Sequence, residues 1–446
     1  MIDFHILNLI FERFDAVCLP KQNKCRINEF NFLNLDNQFF SMLSFDNTEY
    51  AFAYKSDKEL SKANFVLSMM RKSWLVKFST KILPAFIKWR IPFTKPIVQA
   101  TIFEQFVGGE TLQQTGPIVD KLNDYNVQVI LDYGIESDKK GEVGFDAVTE
   151  EFIRIIDYAA TQENIPFISI KITSIARFDL LKRIHNFINS SAGSLSERHK
   201  ATVEKLRSEQ KEGWRRVNER MKKICSTAAA KNVQLLIDAE ESWIQNSIDH
   251  LAESMMLLFN KKKTIVYTTV QLYRIDGVDF LKKATKTANS KRFILGVKIV
   301  RGAYMEKERA RAVSMNYASP IQPDKESCDK AYNDAIDFCM KNVKTISLIV
   351  ATHNEKSCLY ATELMHKIKM LPDAIHFSQL YGMSDNITFN LAKEGYSVSK
   401  YLPFGAIEEV IPYLLRRAQE NSSVSEQTGR ELNLIRKEID ERRNKK

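Results

Sequence analysis

With 446 residues, 44% of them hydrophobic and 10% aromatic, the chain can bury a large core, and its 15 glycines exclude a collagen-like or low-complexity protein. The net charge of +10 is spread over Lys and Arg mixed with Glu, as on solvated helices. There is no zinc-finger spacing and no RNP-type aromatic motif, so nucleic acid is rejected as a partner and an anionic membrane surface stays open.

Residues 1–125 read as mostly helical. Within them KSWLVKFSTKILPAFIKWRIPF (72–93) interleaves aromatic and basic residues, a composition that suits either a bilayer surface or a helix packed on the protein body. Packing is the preferred reading. Asp3, Glu12 and Asp15 give the N-terminus neither the basic start of a secretory signal nor the acid-poor composition of a mitochondrial presequence. No run reaches the ~18 apolar residues of a membrane span. A cytoplasmic protein is expected, with peripheral contact at the inner face of a membrane left open. The six cysteines (18, 25, 225, 328, 339 and 358) include no CxxC pair and are expected to be reduced thiols.

From about residue 127 eight β-branched runs follow: VQVILDYG (127–134), FISIKITS (167–174), VQLLIDAE (233–240), TIVYTTVQL (264–272), FILGVKIVRG (293–302), SLIVATHN (347–354), AIHFSQLYG (374–382) and YSVSKYLPFG (396–405). Continuous apolar runs suit strands covered on both faces, and the segments between them have helical periodicity. The fold class is therefore α/β, a (β/α)8 TIM-like barrel over residues 126–430. Most of these runs carry a polar residue near the end, namely Lys171, Asp238, Gln271, Arg301, His353, Gln379 and Tyr401, and strand ends form the active face of such a barrel. A buried Asp238 needs a cation, which Lys171 or the arginine pair described next supplies. A helical insertion is expected at about 176–228, in one long helix or two.

The last part of the barrel reads YLLRRAQEN (413–421), with Arg416 and Arg417 side by side on an apolar helix and Glu420 one turn on. Two guanidinium forks suit a small carboxylate, with Glu420 restraining one of them. Residues 431–446 read as a basic C-terminal tail. No GxGxxG, GxxxxGK[ST], GxSxG, HExxH or calcium-loop spacing occurs, and no metal site is assigned.

Taken together, FVGGET, ILDYGIE, SIKITSI, LLIDAEESW, TVQLYR, GVKIVRGAYMEKERARA, VATHNE, QLYGMSDNITFNLAKEGYSVSKYLPFG and EVIPYLLRRAQENSS resemble the monofunctional FAD-dependent proline dehydrogenases, in the family's order from about residue 106 to 423. The resemblance implies oxidation of L-proline to 1-pyrroline-5-carboxylate, FAD as cofactor, electrons passed to a quinone, and a separate pyrroline-5-carboxylate dehydrogenase downstream. It implies that Arg416, Arg417 and Lys171 bind the carboxylate, Asp238 is a site carboxylate, Tyr401 packs under the ring, Leu380 lines its apolar wall, and Glu420 orients the arginines. For FAD it implies Gln271, Lys298, Val300, Arg301, Gly302, Ala303, Tyr304, Thr352 and His353. A cation such as Arg301 stabilises the charge a reduced flavin gains, and the small Gly302 and Ala303 admit its ring. Lys298 departs from the arginine of many bacterial members, which alters the expected contact to the flavin. Two alternatives are a hydroxyproline dehydrogenase, against which Tyr401 argues because such members usually have a smaller residue there, and a non-catalytic barrel scaffold.

Overall fold

The computed structural model describes residues 43–89, 91–134, 141–189, 195–423 and 425–445. Cys18, Cys25 and the N-terminal carboxylates lie outside the described residues. Eight parallel strands close a barrel in sequence order: β1 (Gln128–Tyr133), β2 (Phe167–Ile170), β3 (Gln234–Ile237), β4 (Val266–Gln271), β5 (Leu295–Val300), β6 (Ile346–Ala351), β7 (His376–Leu380) and β8 (Val398–Phe404). All eight predicted runs are strands, and β8 returns to pair with β1 from Gln128↔Ser399 to Tyr133↔Phe404, so no edge is left open.

Alternation sorts each strand into an outer set that packs on the helices and an inner set that faces the axis. On β5, for example, Leu295, Val297 and Ile299 belong to the main core under the helices. Inside, Ile130, Phe167, Leu236, Tyr267 and Ile349 form a separate cluster with Ala351 and Tyr401. Gly296 lies opposite Tyr267 in the β4–β5 register. A Cβ there would first collide with the Val266 carbonyl oxygen and the Thr264 methyl and then crowd the Tyr267 ring, so the glycine lets β5 lie close to β4 in a closed interior. Below this plug, His376 is held between Ser397 and Ser399 at 2.8 Å each.

The expected insertion is two helices, Leu195–Lys205 and Ser208–Lys231, after a first helix Phe178–Asn189. The second corrects the prediction in part: it packs on β3 and buries Trp214, Met221 and Ile224, so it is the barrel's own helix between β2 and β3. Residues 43–446 form one compact unit, so neither 125 nor 430 separates two bodies. The basic tail is the second half of a helix, Ser425–Asn444, that buries Leu432 and Ile435. These residues join a second core with Leu60, Leu67, Phe106 and Leu414, formed where the helix Asp57–Met70 meets the helix Ile407–Ser423.

Gly382, just past β7, has φ +77° and lies against the Gln105 backbone, where a Cβ would overlap the carbonyl oxygen. The Gln105 side chain donates to the Gly382 carbonyl at 2.8 Å, fixing the pre-barrel segment to the active face. Gly382→Ala combines left-handed strain with a backbone collision and should cost ~2–4 kcal/mol in denaturant unfolding. A loss below ~0.5 kcal/mol would mean that this approach is not fixed.

Candidate active site

The inner residues at the C-terminal strand ends form a polar layer above the apolar plug. Asp132 on β1 and Asp238 after β3 are its acids, and both are largely buried. Lys298 on β5 reaches Asp238 Oδ1 at 2.5 Å, and Ser169 on β2 donates to the same oxygen at 2.8 Å. Tyr401 on β8 donates to Oδ2 at 2.8 Å, with Ser169 Oγ 3.2 Å from its hydroxyl. Lys171 lies between the two acids, 3.3 Å from Asp132 Oδ1 and 3.7 Å from Asp238 Oδ2. Lys171 supplies a cation to Asp238, as expected from the sequence, and Lys298, which the sequence did not assign to it, lies closer still. Burial alone would raise the Asp238 carboxyl, but Lys298, then Lys171 and the Tyr401 hydroxyl, hold it down to about 2. Asp132 moves the other way: burial raises it, Lys171 opposes, and the Asp238 charge adds to the rise.

The helix Ile407–Ser423 carries Tyr413, Arg416, Arg417 and Glu420. Arg417 is buried, with Nη2 2.6 Å from Glu420 Oε1 and its guanidinium 5.1 Å from the Tyr413 ring centroid. Its Nε–H and the Tyr413 hydroxyl are buried with no hydrogen-bond partner among the described residues. Such groups cost about 1–3 kcal/mol each when left unmet. Arg416 is half-buried, and both guanidiniums act on Glu420, whose carboxyl burial pushes up against their pull.

The positions matched to FAD lie along β4 to β6. Gln271 donates to the Glu240 carbonyl (2.7 Å) and to the Tyr273 hydroxyl (2.8 Å). Val300 ends β5 on the same inner phase as Lys298. Arg301 turns out of that phase: it pairs with Asp329, donates to Ser357 Oγ at 2.8 Å and stacks 3.9 Å from the Tyr332 ring centroid, while its Nε stays buried and unpartnered. Gly302 and Ala303 are exposed, Gly302 at φ +91° with no protein atom within 4 Å of where a Cβ would stand. Tyr304 leads into the helix Met305–Ser314, whose buried Glu308 takes both Ser242 N and Oγ at 2.7 Å. The ERA part of the motif is therefore a clamp between two barrel helices. Thr352 is held through its carbonyl by Gln379 at 3.1 Å.

His353 Nδ1 lies 2.9 Å from Ser384 Oγ, and burial, with Lys400 and Arg417 adding, pushes the imidazole down to about 3, so it is neutral at working pH. Ser384 N in turn donates to Glu431 of the C-terminal helix at 2.8 Å. Beside it, fully buried Lys400 lies 2.8 Å from Asp385, which also takes Lys55 and the Tyr54 hydroxyl at 2.8 Å each.

Of the seven polar strand-end residues, Lys171, Asp238 and Tyr401 converge directly. Gln379 does not: it is 1% exposed, faces away from the axis and accepts from Thr388 Oγ1 at 2.9 Å. Leu380, next in register, is on the inner phase and packs against the second core. Sequence reasoning missed Asp132, Ser169 and Tyr413. The argument that flagged Asp238, a charge ending an apolar run, applies equally to Asp132 in VQVILDYG and would have found it.

A sequence model of the family described as proline dehydrogenase matches residues 117–430. Proline dehydrogenase 1, mitochondrial, of Dictyostelium discoideum is 32% identical, covering 91% of this chain and 76% of that protein. Hydroxyproline dehydrogenase of Xenopus laevis is 30% identical, covering 88% of each. Among solved structures, proline utilization A of Bdellovibrio bacteriovorus, inactivated by N-propargylglycine, superposes with a TM-score of 0.63 at 17% identity. That match covers 87% of this chain and 40% of the other, so this chain spans about two fifths of that longer protein, and the likeness concerns the fold.

A carboxyl held at about 2, against an ordinary value near ~3.9, contributes stability that is present above pH ~4 and lost as pH falls through the lower value. For Asp238 this is on the order of 2 kcal/mol, so urea unfolding at stepped pH should show a decline between pH ~4 and ~2 that Asp238→Asn removes. Equal slopes in the two proteins would mean that the lysines do not bind this carboxylate.

Proposed function

This chain belongs to the proline dehydrogenase family, a family of oxidoreductases, and from that premise we propose that its barrel mouth holds L-proline by the carboxylate beside FAD. The observation that carries the reading is Arg417, a buried guanidinium with an unpartnered Nε–H above acids already answered by cations. Asp132 and Asp238 are met by Lys171 and Lys298, and Arg417 by Glu420, so the Arg417 Nε–H and the Tyr413 hydroxyl are the groups offered to a monoanionic acid, with Arg416 beside them.

In this reading Arg416 and Arg417 take the substrate carboxylate with Lys171, Glu420 fixes the fork of Arg417, and Leu380 and Tyr401 face the apolar ring. The Tyr401 hydroxyl, committed to Asp238, holds its own ring in place. FAD fits the chain on two features: the unpartnered Arg301 Nε and the open approach to Gly302. Gln271, Lys298, Val300, Arg301, Gly302, Ala303, Tyr304, Thr352 and His353 would hold it. FAD held there would supply a hydride acceptor for the carbon beside the ring nitrogen. The chain's own part is to fix the ring, neutralise the carboxylate and supply cationic and neutral donors around the cofactor. Lys298 acts as a point charge already bonded to Asp238, unlike a planar guanidinium. The product is 1-pyrroline-5-carboxylate, passed to a separate dehydrogenase, with a quinone as acceptor. A cytoplasmic location with peripheral contact at the inner face of a membrane belongs to the same proposal; no helix among the described residues is long and apolar enough to cross one.

Hydroxyproline oxidation is the second reading, because a hydroxyproline dehydrogenase is similar to this chain to nearly the same degree. Tyr401 favours proline, since its hydroxyl is already bonded and its ring occupies the place where the resemblance puts a smaller residue.

Purified protein should show flavin absorbance near about 450 nm that proline bleaches without oxygen. A colourless protein that binds no added FAD would overturn the assignment. Arg417→Ala and Arg416→Ala should each weaken proline capture by ~2–4 kcal/mol, read in kcat/KM, with the flavin spectrum kept. Unchanged KM in both would remove the clamp. Turnover that favours 4-hydroxyproline over proline would replace the first reading with the second.

A further inference from the structure

The helix Ser73–Lys88, with Trp89 capping it, presents three faces. At about 100° per residue, Val76, Leu83 and Ile87 fall on one side, and they pack into the second core. Trp74, Phe78 and Trp89 fall within about 60° of one another on the opposite side. They are 68%, 58% and 70% exposed. Exposed Lys77 and Lys81 border them on the third. The turn that follows prolongs the apolar stripe with Phe93 and Ile97, 77% and 61% exposed. Phe93 has φ +65°, a left-handed conformation that a bulky residue rarely adopts and that turns its ring to solvent. One face packs on the protein body, as preferred from the sequence, and the opposite face has no partner among the described residues.

From Arg71 to Phe103 the sequence carries seven Lys or Arg and not one Asp or Glu. Lysine is depleted at the centre of protein–protein interfaces, whereas Trp and Phe bordered by lysines are the composition of helices lying in the headgroup layer of a bilayer. The absence of acids matches the negative surface of such a bilayer.

We propose that this face, Trp74, Phe78, Trp89 and Phe93 flanked by Lys77 and Lys81, docks on the surface of an anionic lipid bilayer. The inference rests on, and localises, the membrane contact of the proposed function. It also gives that contact an orientation, because the docking helix packs directly against the helix Ile407–Ser423 that carries Arg416 and Arg417. Packed helices lie about 8–10 Å apart, so the arginine-bearing helix is one layer from lipid, where a lipophilic acceptor dissolves.

The test is flotation of the full chain with phosphatidylcholine vesicles, alone and with about 30% phosphatidylglycerol. The protein should float with the anionic vesicles. Trp74→Ser/Phe78→Ser/Trp89→Ser should weaken that binding by at least ~10-fold, and Lys77→Gln/Lys81→Gln should weaken it only where anionic lipid is present. Proline oxidation with a soluble dye acceptor should be unchanged in both variants, which also shows that they fold. Failure to bind either vesicle, or equal binding by the triple variant, overturns the proposal. A concentration-dependent dimer that the triple variant abolishes would give the face to a second copy and also overturn it. Vesicle binding by a protein that does not oxidise proline with the dye would sink the functional reading and leave the docking surface standing.

Discussion

A carboxylate in the mouth of a parallel barrel has little water to solvate it, and Asp238 is kept ionised there by three strands at once. Lys298 comes from β5, Tyr401 from β8 and Ser169 from β2, each within 2.8 Å of one of its oxygens. Removing any one partner would leave a buried charge partly uncompensated, which costs far more than an exposed ion pair contributes. The geometry of the site is therefore tied to barrel closure. Only when β8 has come round to β1 does Tyr401 arrive beside a residue that ends β3. Under the proposed function the arginines depend on the same order, because their charge serves a ligand only if the acids near them are already neutralised.

Most of the fold was legible because parallel strands covered on both faces read as continuous β-branched runs, and all eight were recovered. The side of each strand was less legible. Gln379 and Leu380 are neighbours, yet one faces a helix and the other the axis, and a one-residue choice of phase reverses them. Arg301 is a related case, since the chain leaves β5 after Val300 and turns the arginine toward Asp329 and Tyr332. The need for a cation beside Asp238 could be deduced from burial alone, but its identity could not. Lys171 and Lys298 both end beside Asp238, and the strand register that brings Lys298 closer is a property of the closed sheet.

The parts that sequence could not assemble are those that join distant segments. Lys400 points away from the axis, and its charge is answered by Asp385, which also takes Tyr54 and Lys55 from before the barrel. Glu431, from the C-terminal helix, reaches the neighbouring Ser384, and burial pushes its carboxyl up to about 7. Both ends of the described chain thus meet behind β7 and β8. This explains why the basic C-terminal segment, which reads as a solvated tail by composition, is an ordered helix instead.

The apolar plug of Ile130, Phe167, Leu236, Tyr267 and Ile349 has a bearing on traffic. A cylinder stoppered at one end is a cup with a single doorway. Under the proposed function, anything that reaches the charged layer comes from the C-terminal rim and not along the barrel axis.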